Sequence, residues 1–446
     1  MHTYRHKKYR RDIKHRQCSH LIGADGVGEG EIMDYKELLK SEMMPAFGCT
    51  EPIALAYASA KAREVLGEIP DRINILCSGN MIKNAKSVIV PGAGGRKGIE
   101  ISCVLGILAG NPDRELEVLI ETRKEDIIEA EKMIKSGYCN IVLVPDVENL
   151  YIRIEAFKGD ASSVVVVQGK HTNIIYMEKN GTVLLQKEEE FKELTLEEFS
   201  FAKIYDFACS CDYEDIKPLL DMQIEYNRAI AEEGIANSYG SNIGKLILEV
   251  SDSVEEKARA YAAAGSDARM SGCEMPVVIN SGSGNQGITI SVPIVIYAEH
   301  FEKSADKLYR SLIFANLVGL YQKKGIGRLS AYCGVVSAAS ASVAGIAFLN
   351  DEPRRVIEET LINSLAGNSG ILCDGAKPSC AMKIASSVGN AFLAYRQARS
   401  DNSFCSGDGI VKDSVDETIE TVGYIAKYGM KRTDEVILGE MIDKRE

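Results

Sequence analysis

Two cysteines seven residues apart, Cys373 and Cys380, constrain this chain more than any other sequence feature. They flank a turn with the sequence DGAKP. Pro378 suits the first turn of a helix, so we expect Cys380 at a helix N-terminus and Cys373 on the loop before it. Backbone N–H groups and the helix dipole stabilise thiolates there, and thiolates bind soft metals or act as nucleophiles. A pair of core thiols is the alternative, because free Cys is among the most buried residue types.

Length and composition narrow the class of protein around this pair. The chain has 446 residues, enough for two or three domains, and its 45% hydrophobic and 26% charged residues are typical of a soluble globular protein. No apolar run has the length of a membrane span, and the net charge of -12 argues against nucleic acid as the main partner. Twelve cysteines without a C-x-x-C pair or an export signal indicate a reducing cytoplasm and argue against a zinc ribbon.

The charge and hydrophobic patterns divide the chain into four segments. Residues 1–32 read as a basic disordered arm, because the first 20 residues hold seven Lys or Arg and one Asp. Residues 33–70 carry two helices, residues 71–190 an inserted α+β domain, and residues 191–446 a long helical domain. The predicted fold class is therefore α+β, mostly helical, with an inserted sheet.

The sequence GCTEP, residues 48–52, opens the second of the two N-terminal helices. Thr50 is a good helix cap and Pro52 fits the first turn, so Cys49 is expected just ahead of a helix over residues 53–66. That position lowers a thiol pKa, because the helix dipole favours the thiolate. A capping loop that happens to contain Cys is the alternative.

The inserted segment is rich in β-branched and aromatic runs. These runs predict strands at residues 73–77, 87–90, 116–121, 140–144, 151–157, 163–168, 173–177 and 182–185. Helical periodicity predicts two helices, over residues 99–108 and 125–136.

A polar, glycine-rich loop follows a short apolar run in the helical domain. Glycines let backbone approach a ligand closely, while hydroxyl and amide side chains add hydrogen bonds. The loop therefore predicts a site for a carboxylate or phosphate, and a simple helix-capping loop is the alternative. Its candidate binding residues are Asn280, Ser281, Ser283, Asn285 and Gln286.

Cys333 precedes a helix made largely of Gly, Ala, Ser and Val. Small residues allow close backbone packing, so this helix is predicted to be central. With Cys373 and Cys380 it gives three cysteines near helix starts or tight turns. Three thiolates are one fewer than a closed tetrahedral site needs, so a metal centre held this way keeps one position open for substrate.

Six motifs together resemble the L-cysteine desulfidase family, which is related to the α-chain domain of iron-sulfur L-serine dehydratases. The resemblance covers the chain from about residue 33. Its motifs are GCTEP, SGNMIKNAK, PGAGGRKGIE, INSGSGNQG, LSAYCG and GNSGILCDGAKPSCAMK. It implies a cytoplasmic [4Fe-4S]-dependent lyase in which residues 33–70 and 191–446 form the catalytic domain.

The resemblance also implies roles for individual residues. Cys333, Cys373 and Cys380 match the family's cluster ligands, and Cys49 matches the cysteine that removes the α-proton, with Glu51 as a second candidate base. The implied reaction converts L-cysteine to hydrogen sulfide, ammonia and pyruvate. The glycine-rich loop would orient this small amino-acid substrate, with further candidate contacts from Asn368, Ser369 and Lys377. Homo-oligomerisation is compatible with this interpretation and is not specified by it.

Three other functions are weighed against this one. L-serine deamination uses the same groups, because both substrates carry a carboxylate, an α-amine and a β-leaving group. A pyridoxal-phosphate lyase would need Lys83 or Lys86 as its Schiff-base lysine and would leave the three cysteines without a role. A non-catalytic iron-sulfur or thiol redox sensor would oxidise Cys373 and Cys380 reversibly without turnover.

Overall fold

A computed structural model of the chain describes residues 34–187 and 199–442. The basic arm predicted for residues 1–32 lies outside the described residues, and so does the predicted domain boundary at residues 190 and 191. The described part contains both helices and a six-stranded mixed sheet, so the predicted α+β class is confirmed. None of its helices is both long and apolar enough to cross a membrane.

The N-terminal elements are α1 (Tyr35–Glu42), β1 (Pro45–Phe47) and α2 (Thr50–Leu66). Asp34 caps α1 by accepting hydrogen bonds from the backbone N–H groups of Lys36 and Glu37. Cys49 occupies the N-cap of α2, one residue earlier than the predicted cap at Thr50. Gly67 ends α2 in the left-handed conformation (φ 95°), which glycine adopts without strain.

The inserted segment forms one mixed sheet. Its strands are β2 (Arg72–Cys77), β3 (Cys139–Leu143), β4 (Tyr151–Lys158), β5 (Ala161–Gln168), β6 (Ile174–Lys179) and β7 (Thr182–Gln186). The spatial order is β3-β2-β4-β5-β6-β7, with β2 and β3 parallel and all other neighbours antiparallel. The crossover from β2 to β3 carries α3 (Gly79–Ala85), α4 (Ile99–Ala109) and α5 (Lys124–Lys135).

Two predicted strands are wrong, and both lie in that crossover. Residues 87–90 make only an isolated bridge between Ile89 and Lys97, because the glycine-rich turn that follows folds the chain straight back. Residues 116–121 overlap a 3-10 helix, Pro112–Glu117, which begins where the Asn111 side chain accepts a hydrogen bond from the backbone N–H of Asp113. Apolar residues here are buried by packing rather than by strand pairing.

The second part of the chain is almost entirely helical. Its elements are α6 (Phe201–Ser210), α7 (Lys217–Ala236), α8 (Ile243–Leu248), α9 (Val254–Met270), β8 (Pro276–Val278), α10 (Gly284–His300), α11 (Ala305–Ile326), α12 (Gly334–Leu349), α13 (Arg354–Asn368), α14 (Cys380–Arg399), α15 (Val415–Tyr424) and α16 (Lys431–Ile442). A short π-helical turn, Ile425–Gly429, links α15 to α16.

Helices α10 and α12 form the centre of the core, and for α12 its small residues predicted this position. Almost every residue of both helices is buried. Ser342 on α12 donates a hydrogen bond to the backbone oxygen of Ile290 on α10 at 2.9 Å. A Cβ atom on Gly345 would lie 2.7 Å from Ile294 Cδ1 and 2.9 Å from Ala315 Cβ, so a larger residue there would require its neighbours to shift.

Helix α2 lies between the sheet and α4. On the sheet side, Ser163 Oγ of β5 donates to the backbone oxygen of Ala62 at 2.7 Å. On the other side, Gly106 of α4 packs so closely on α2 that an added Cβ would lie 2.2 Å from the oxygen of Ala56. The helix that begins beside Cys49 is therefore fixed along its length.

Candidate functional site

The segments around Cys49 and the glycine-rich loop are joined by a two-stranded sheet. Strand β1 pairs antiparallel with β8, with Ala46 opposite Val277. Beyond the strands, Thr50 Oγ1 donates to the backbone oxygen of Gly282 at 2.9 Å. This pairing brings two motifs that are more than 200 residues apart in sequence into one site.

A tight turn shapes the glycine-rich loop. Ser281 (φ 49°) and Gly282 (φ 75°) are both left-handed, and a bridge between Asn280 and Ser283 closes the turn. Ser283 then caps α10 by accepting from the backbone N–H of Gln286. Because α10 begins at Gly284, Asn285 and Gln286 lie in its first turn.

Short backbone contacts bring the three predicted cluster cysteines together. The N–H of Cys333 donates to the oxygen of Ile371 at 3.0 Å, and the N–H of Cys373 donates to the oxygen of Ala331 at 2.7 Å. Cys333 is the N-cap of α12 and Cys380 the first residue of α14, so both lie at helix N-termini. The Cys380 sulfur accepts a hydrogen bond from the N–H of Lys377 at 3.4 Å.

One cavity of about 80 Å³ unites the cysteines with the loop. Eight of the residues selected from the sequence line it: Cys49, Glu51, Ser283, Asn285, Gln286, Cys333, Cys373 and Cys380. The wall also includes Thr50, Asn84, Arg269, Lys323, Arg328 and Tyr332.

The other five selected residues lie around the cavity rather than on its described wall. Asn280 is fully buried and donates to the side-chain oxygen of Asn316 at 3.0 Å. Ser281 is buried in the tight turn, and Ser369 is hydrogen bonded to the hydroxyl of Tyr332 at 3.1 Å. The remaining two are Lys377, whose Nζ donates to the backbone oxygen of Lys83, and Asn368, whose buried Nδ2 has no hydrogen-bond partner in the described residues.

The surroundings of Cys49 favour its protonated thiol. Its Sγ donates to Glu51 Oε2 at 3.2 Å. Burial raises the pKa of the Cys49 thiol well above its usual value, the neighbouring Glu51 carboxylate raises it further, and Arg269 acts in the opposite direction. The prediction of a lowered pKa at this helix N-terminus is wrong, because burial and Glu51 outweigh the dipole.

In the pair Cys333 and Cys373, the pKa values of the two thiols shift in opposite directions. A hydrogen bond from Cys333, together with the positive charges of Lys83 and Lys383, lowers the pKa of Cys373 to about 6 despite its burial. The same hydrogen bond, with burial, raises the pKa of Cys333. One thiolate is therefore favoured at this wall before anything binds.

The donor set at this wall suits a cluster that takes thiolate ligands. The three cysteines are free thiols, and the buried Lys83 and Lys323 supply positive charge for an anionic group. Within residues 34–187 and 199–442, no three His, Cys, Asp or Glu side chains converge on a single metal position. Thiolates of an iron-sulfur cluster bind different iron atoms, so the three sulfurs need not converge on one point.

Sequence reasoning missed three charged or polar groups of this region. Arg269 and Lys323 are buried in the cavity wall, and His171 is buried against Gly282 from the loop between β5 and β6. Lys323 has an equally basic neighbour, Lys324, and only the helical phase of α11 places one of them inside. No local motif marks the other two. Lys83, considered in the sequence only as a Schiff-base lysine, donates to the backbone oxygen of Cys373.

Comparison with known proteins places the chain in a family. The family model for the serine dehydratase alpha chain matches residues 113–439. A UPF0597 protein of Lachnoclostridium phytofermentans is 48% identical over 411 residues, which cover 91% of this chain and 99% of the relative. UPF0597 proteins of Finegoldia magna and Treponema denticola are 46% and 43% identical, covering 93% and 92% of this chain and 100% and 97% of the relatives. The chain therefore belongs to the serine dehydratase alpha chain family, and this membership indicates a serine dehydratase-like lyase.

Proposed function

We propose that this protein is an iron-sulfur-dependent lyase that converts L-cysteine to hydrogen sulfide, ammonia and pyruvate. The observation that carries the proposal is the single cavity that contains Cys49 with Glu51, the first turn of α10, and the three cysteines Cys333, Cys373 and Cys380. The cavity thus offers a proton acceptor, a polar substrate loop and a thiolate wall that can hold a Lewis acid, a combination that suits an α,β-elimination.

Cys49 is proposed as the base that removes the α-proton. Its thiol proton passes to Glu51 along their hydrogen bond, and the thiolate then takes the proton from the substrate Cα. A thiol whose pKa is raised gives a more basic thiolate than one at an exposed helix N-terminus. Burial therefore provides the basicity that an unactivated α-proton demands, while Glu51 is the second candidate base.

The bond changes of the elimination balance without an external oxidant. The electron pair of the Cα–H bond becomes the Cα=Cβ bond, and the Cβ–S bond breaks with its pair on sulfur. Sulfide leaves, and the aminoacrylate tautomerises and is hydrolysed by water to ammonia and pyruvate. A [4Fe-4S] cluster held by Cys333, Cys373 and Cys380 would supply Lewis-acid activation of the leaving group.

The substrate loop is proposed to orient the amino acid. Ser283, Asn285 and Gln286 line the cavity at the N-terminus of α10, where the helix dipole favours a carboxylate. Asn280 and Ser281 are proposed to hold the turn that presents them. On the cysteine side, Asn368, Ser369 and Lys377 are proposed to position the cluster loop.

L-serine deamination is the second candidate, and the name of the matching family favours it. The contacts described above do not discriminate a thiol from a hydroxyl leaving group, because both would face the same thiolate wall. Kinetic comparison of the two substrates is therefore part of the test.

The pyridoxal-phosphate alternative is weakened by the position of its lysines. Lys83 is held by Asp434 at 2.5 Å and by the backbone oxygen of Cys373, and Lys86 donates to the backbone oxygen of Met441 on the exterior. The redox-sensor alternative uses Cys373 and Cys380 and predicts their reversible oxidation with no turnover.

The test is to measure iron and acid-labile sulfide on protein purified without oxygen, together with pyruvate released from L-cysteine and L-serine. We expect about four of each element per chain, and turnover that is faster with L-cysteine. Cys333→Ala, Cys373→Ala and Cys380→Ala are each expected to lose the iron. Exposed Cys405 provides the control, since Cys405→Ala should keep it. If the wild-type protein contains no iron and cluster reconstitution also fails, the proposal is contradicted.

A further inference from the structure

Arg269 is a buried cation whose charge has no carboxylate partner in the described chain. It lies in the last turn of α9 and is 4% exposed. Its acceptors are neutral: Nη1 donates to Asn285 Oδ1 at 3.1 Å and Nη2 to the backbone oxygen of Gly48 at 2.8 Å. Its buried Nε has no hydrogen-bond partner at all among the described residues. Burying an unpaired charge is costly, so such a group calls for an anion.

Two neighbouring cations differ from Arg269, because each of them has a carboxylate partner. Arg328, also in the cavity wall, is paired with Glu42 through contacts of 2.5 and 2.7 Å. Lys83 is paired with Asp434 at 2.5 Å. The other cation in the wall without a carboxylate is Lys323, which lies close enough to Cys373 and Cys333 to interact with them electrostatically. Arg269 instead contacts Asn285 and the backbone oxygen of Gly48, at the Cys49 and α10 side of the cavity.

We propose that Arg269 binds the α-carboxylate of the amino-acid substrate. Each terminal nitrogen of a guanidinium carries two hydrogens, so the two existing hydrogen bonds leave one hydrogen on each for a carboxylate. Both neutral acceptors, Asn285 and the carbonyl of Gly48, belong to the motifs that frame the cavity. They hold the guanidinium in place without neutralising it.

This assignment rests on the proposed function and fixes the orientation of the substrate. With the carboxylate at Arg269, the Cα–H bond lies at the Cys49 and Glu51 side of the cavity. The β-substituent then extends toward Cys333, Cys373 and Cys380. Gly284 is part of the same arrangement, because a Cβ there would lie 2.4 Å from Arg269 Nε. The predicted substrate class is therefore an α-amino acid with a free carboxylate.

Two small thiols separate carboxylate recognition from thiol recognition. 3-Mercaptopropionate has the thiol and the carboxylate without the amine, and cysteamine has the thiol and the amine without the carboxylate. We would measure the Kd of each by calorimetry on the cluster-loaded wild type, on Arg269→Gln and on Arg269→Lys. Loss of a charge-assisted pair should weaken 3-mercaptopropionate on the order of 100-fold in Arg269→Gln and leave cysteamine unchanged.

The matched control is Arg63→Gln. Arg63 also donates to two backbone oxygens, of Ile107 and Gly110, and lies outside the cavity wall. It should leave both dissociation constants unchanged. An Arg269→Gln protein that retains its iron and loses affinity for 3-mercaptopropionate alone supports the assignment. Failure of the wild type to bind 3-mercaptopropionate, equal weakening of both thiols, or no weakening of either overturns it. Pyruvate release is scored separately, so failure of the proposed lyase reaction is distinguishable from failure of this assignment.

Discussion

Lys83 and Asp434 form a buried ion pair at 2.5 Å between α3 and the C-terminal helix α16. Lys83 is 1% exposed, and its Nζ also donates to the backbone oxygen of Cys373 at 3.3 Å. Asn80 adds a hydrogen bond to the same carboxylate at 2.9 Å. The last helix is thereby connected, through one lysine, to the loop that carries a proposed cluster ligand.

Replacing Asp434 by Asn is expected to destabilise the protein and loosen α16. It leaves the Lys83 ammonium buried without its counter-charge, which costs about 3–5 kcal/mol of unfolding free energy. Urea unfolding measures that loss, and iron content measures the effect on the Cys373 loop.

A surface pair and a double variant provide the controls for this prediction. Glu129→Gln breaks an exposed pair with Lys132 and should cost less than about 1 kcal/mol. Lys83→Met combined with Asp434→Leu removes both charges and should recover much of the stability. If Asp434→Asn loses no more unfolding free energy than Glu129→Gln, the ion pair does not stabilise α16.

His171 should make folding stability depend on pH. Burial lowers its pKa to about 4 in the folded protein, with Arg328 and Arg269 acting in the same direction and Glu51 and Glu42 against it. In the unfolded chain the pKa of His171 is about 6.5. Between that pH and about pH 4, the unfolded chain therefore binds a proton that the folded chain does not bind. Stability is therefore full above pH 6.5 and falls toward pH 4, by up to about 3 kcal/mol.

The comparison that isolates His171 is His171→Gln against His300→Gln. His300 is exposed, so its variant should keep the wild-type pH dependence. Urea unfolding at pH 5 and pH 7 should show a smaller difference in His171→Gln. An unchanged difference in that variant would assign the pH dependence to other groups.

Much of the fold follows from local sequence patterns. β-Branched runs predicted all six strands of the sheet, and small residues predicted the central position of α12. The two wrong strands, at residues 87–90 and 116–121, lie in a crossover where apolar residues are buried in turns. Helix α3 was missed because seven residues hold too little periodicity to be read.

The site was predicted unevenly for a physical reason. Cysteines and polar glycine-rich loops are uncommon in sequences, so they could be selected as candidates. The fold brings four of the cysteines and part of the loop into one cavity. Arg269 and His171 are ordinary residues whose burial depends on β1–β8 pairing and on the β5–β6 loop, both long-range contacts. The pKa of Cys49 was misjudged for the same reason, since its helix position is local but its burial is not.

Gly287 should not tolerate a methyl group. In α10, one turn beyond Ser283, an added Cβ would lie 2.0 Å from the backbone oxygen of Val278. Gly287→Ala should therefore lose about 1–3 kcal/mol despite the better helix propensity of Ala. Gly439→Ala is the matched control, because it is helical with open space around it and should gain up to about 1 kcal/mol. In thermal unfolding, a lower Tm for Gly287→Ala together with a higher Tm for Gly439→Ala would confirm the packing. Shifts of the two Tm values in the same direction would contradict it.

Cys49→Ala should stop proton abstraction and leave the metal wall intact. A general base contributes about 10²- to 10⁴-fold to the rate, so kcat for pyruvate formation should fall within that range while iron content stays unchanged. Exchange of the substrate α-proton in D2O, followed by NMR, should fall in parallel, because it reports the step assigned to the thiolate. Glu51→Gln should lower both rates less if Glu51 only receives the thiol proton, and as much as Cys49→Ala if Glu51 is itself the base. Cys103→Ala removes another fully buried thiol, in α4, and should alter stability without altering α-proton exchange. A Cys49→Ala enzyme that exchanges the α-proton at the wild-type rate would remove Cys49 from the mechanism.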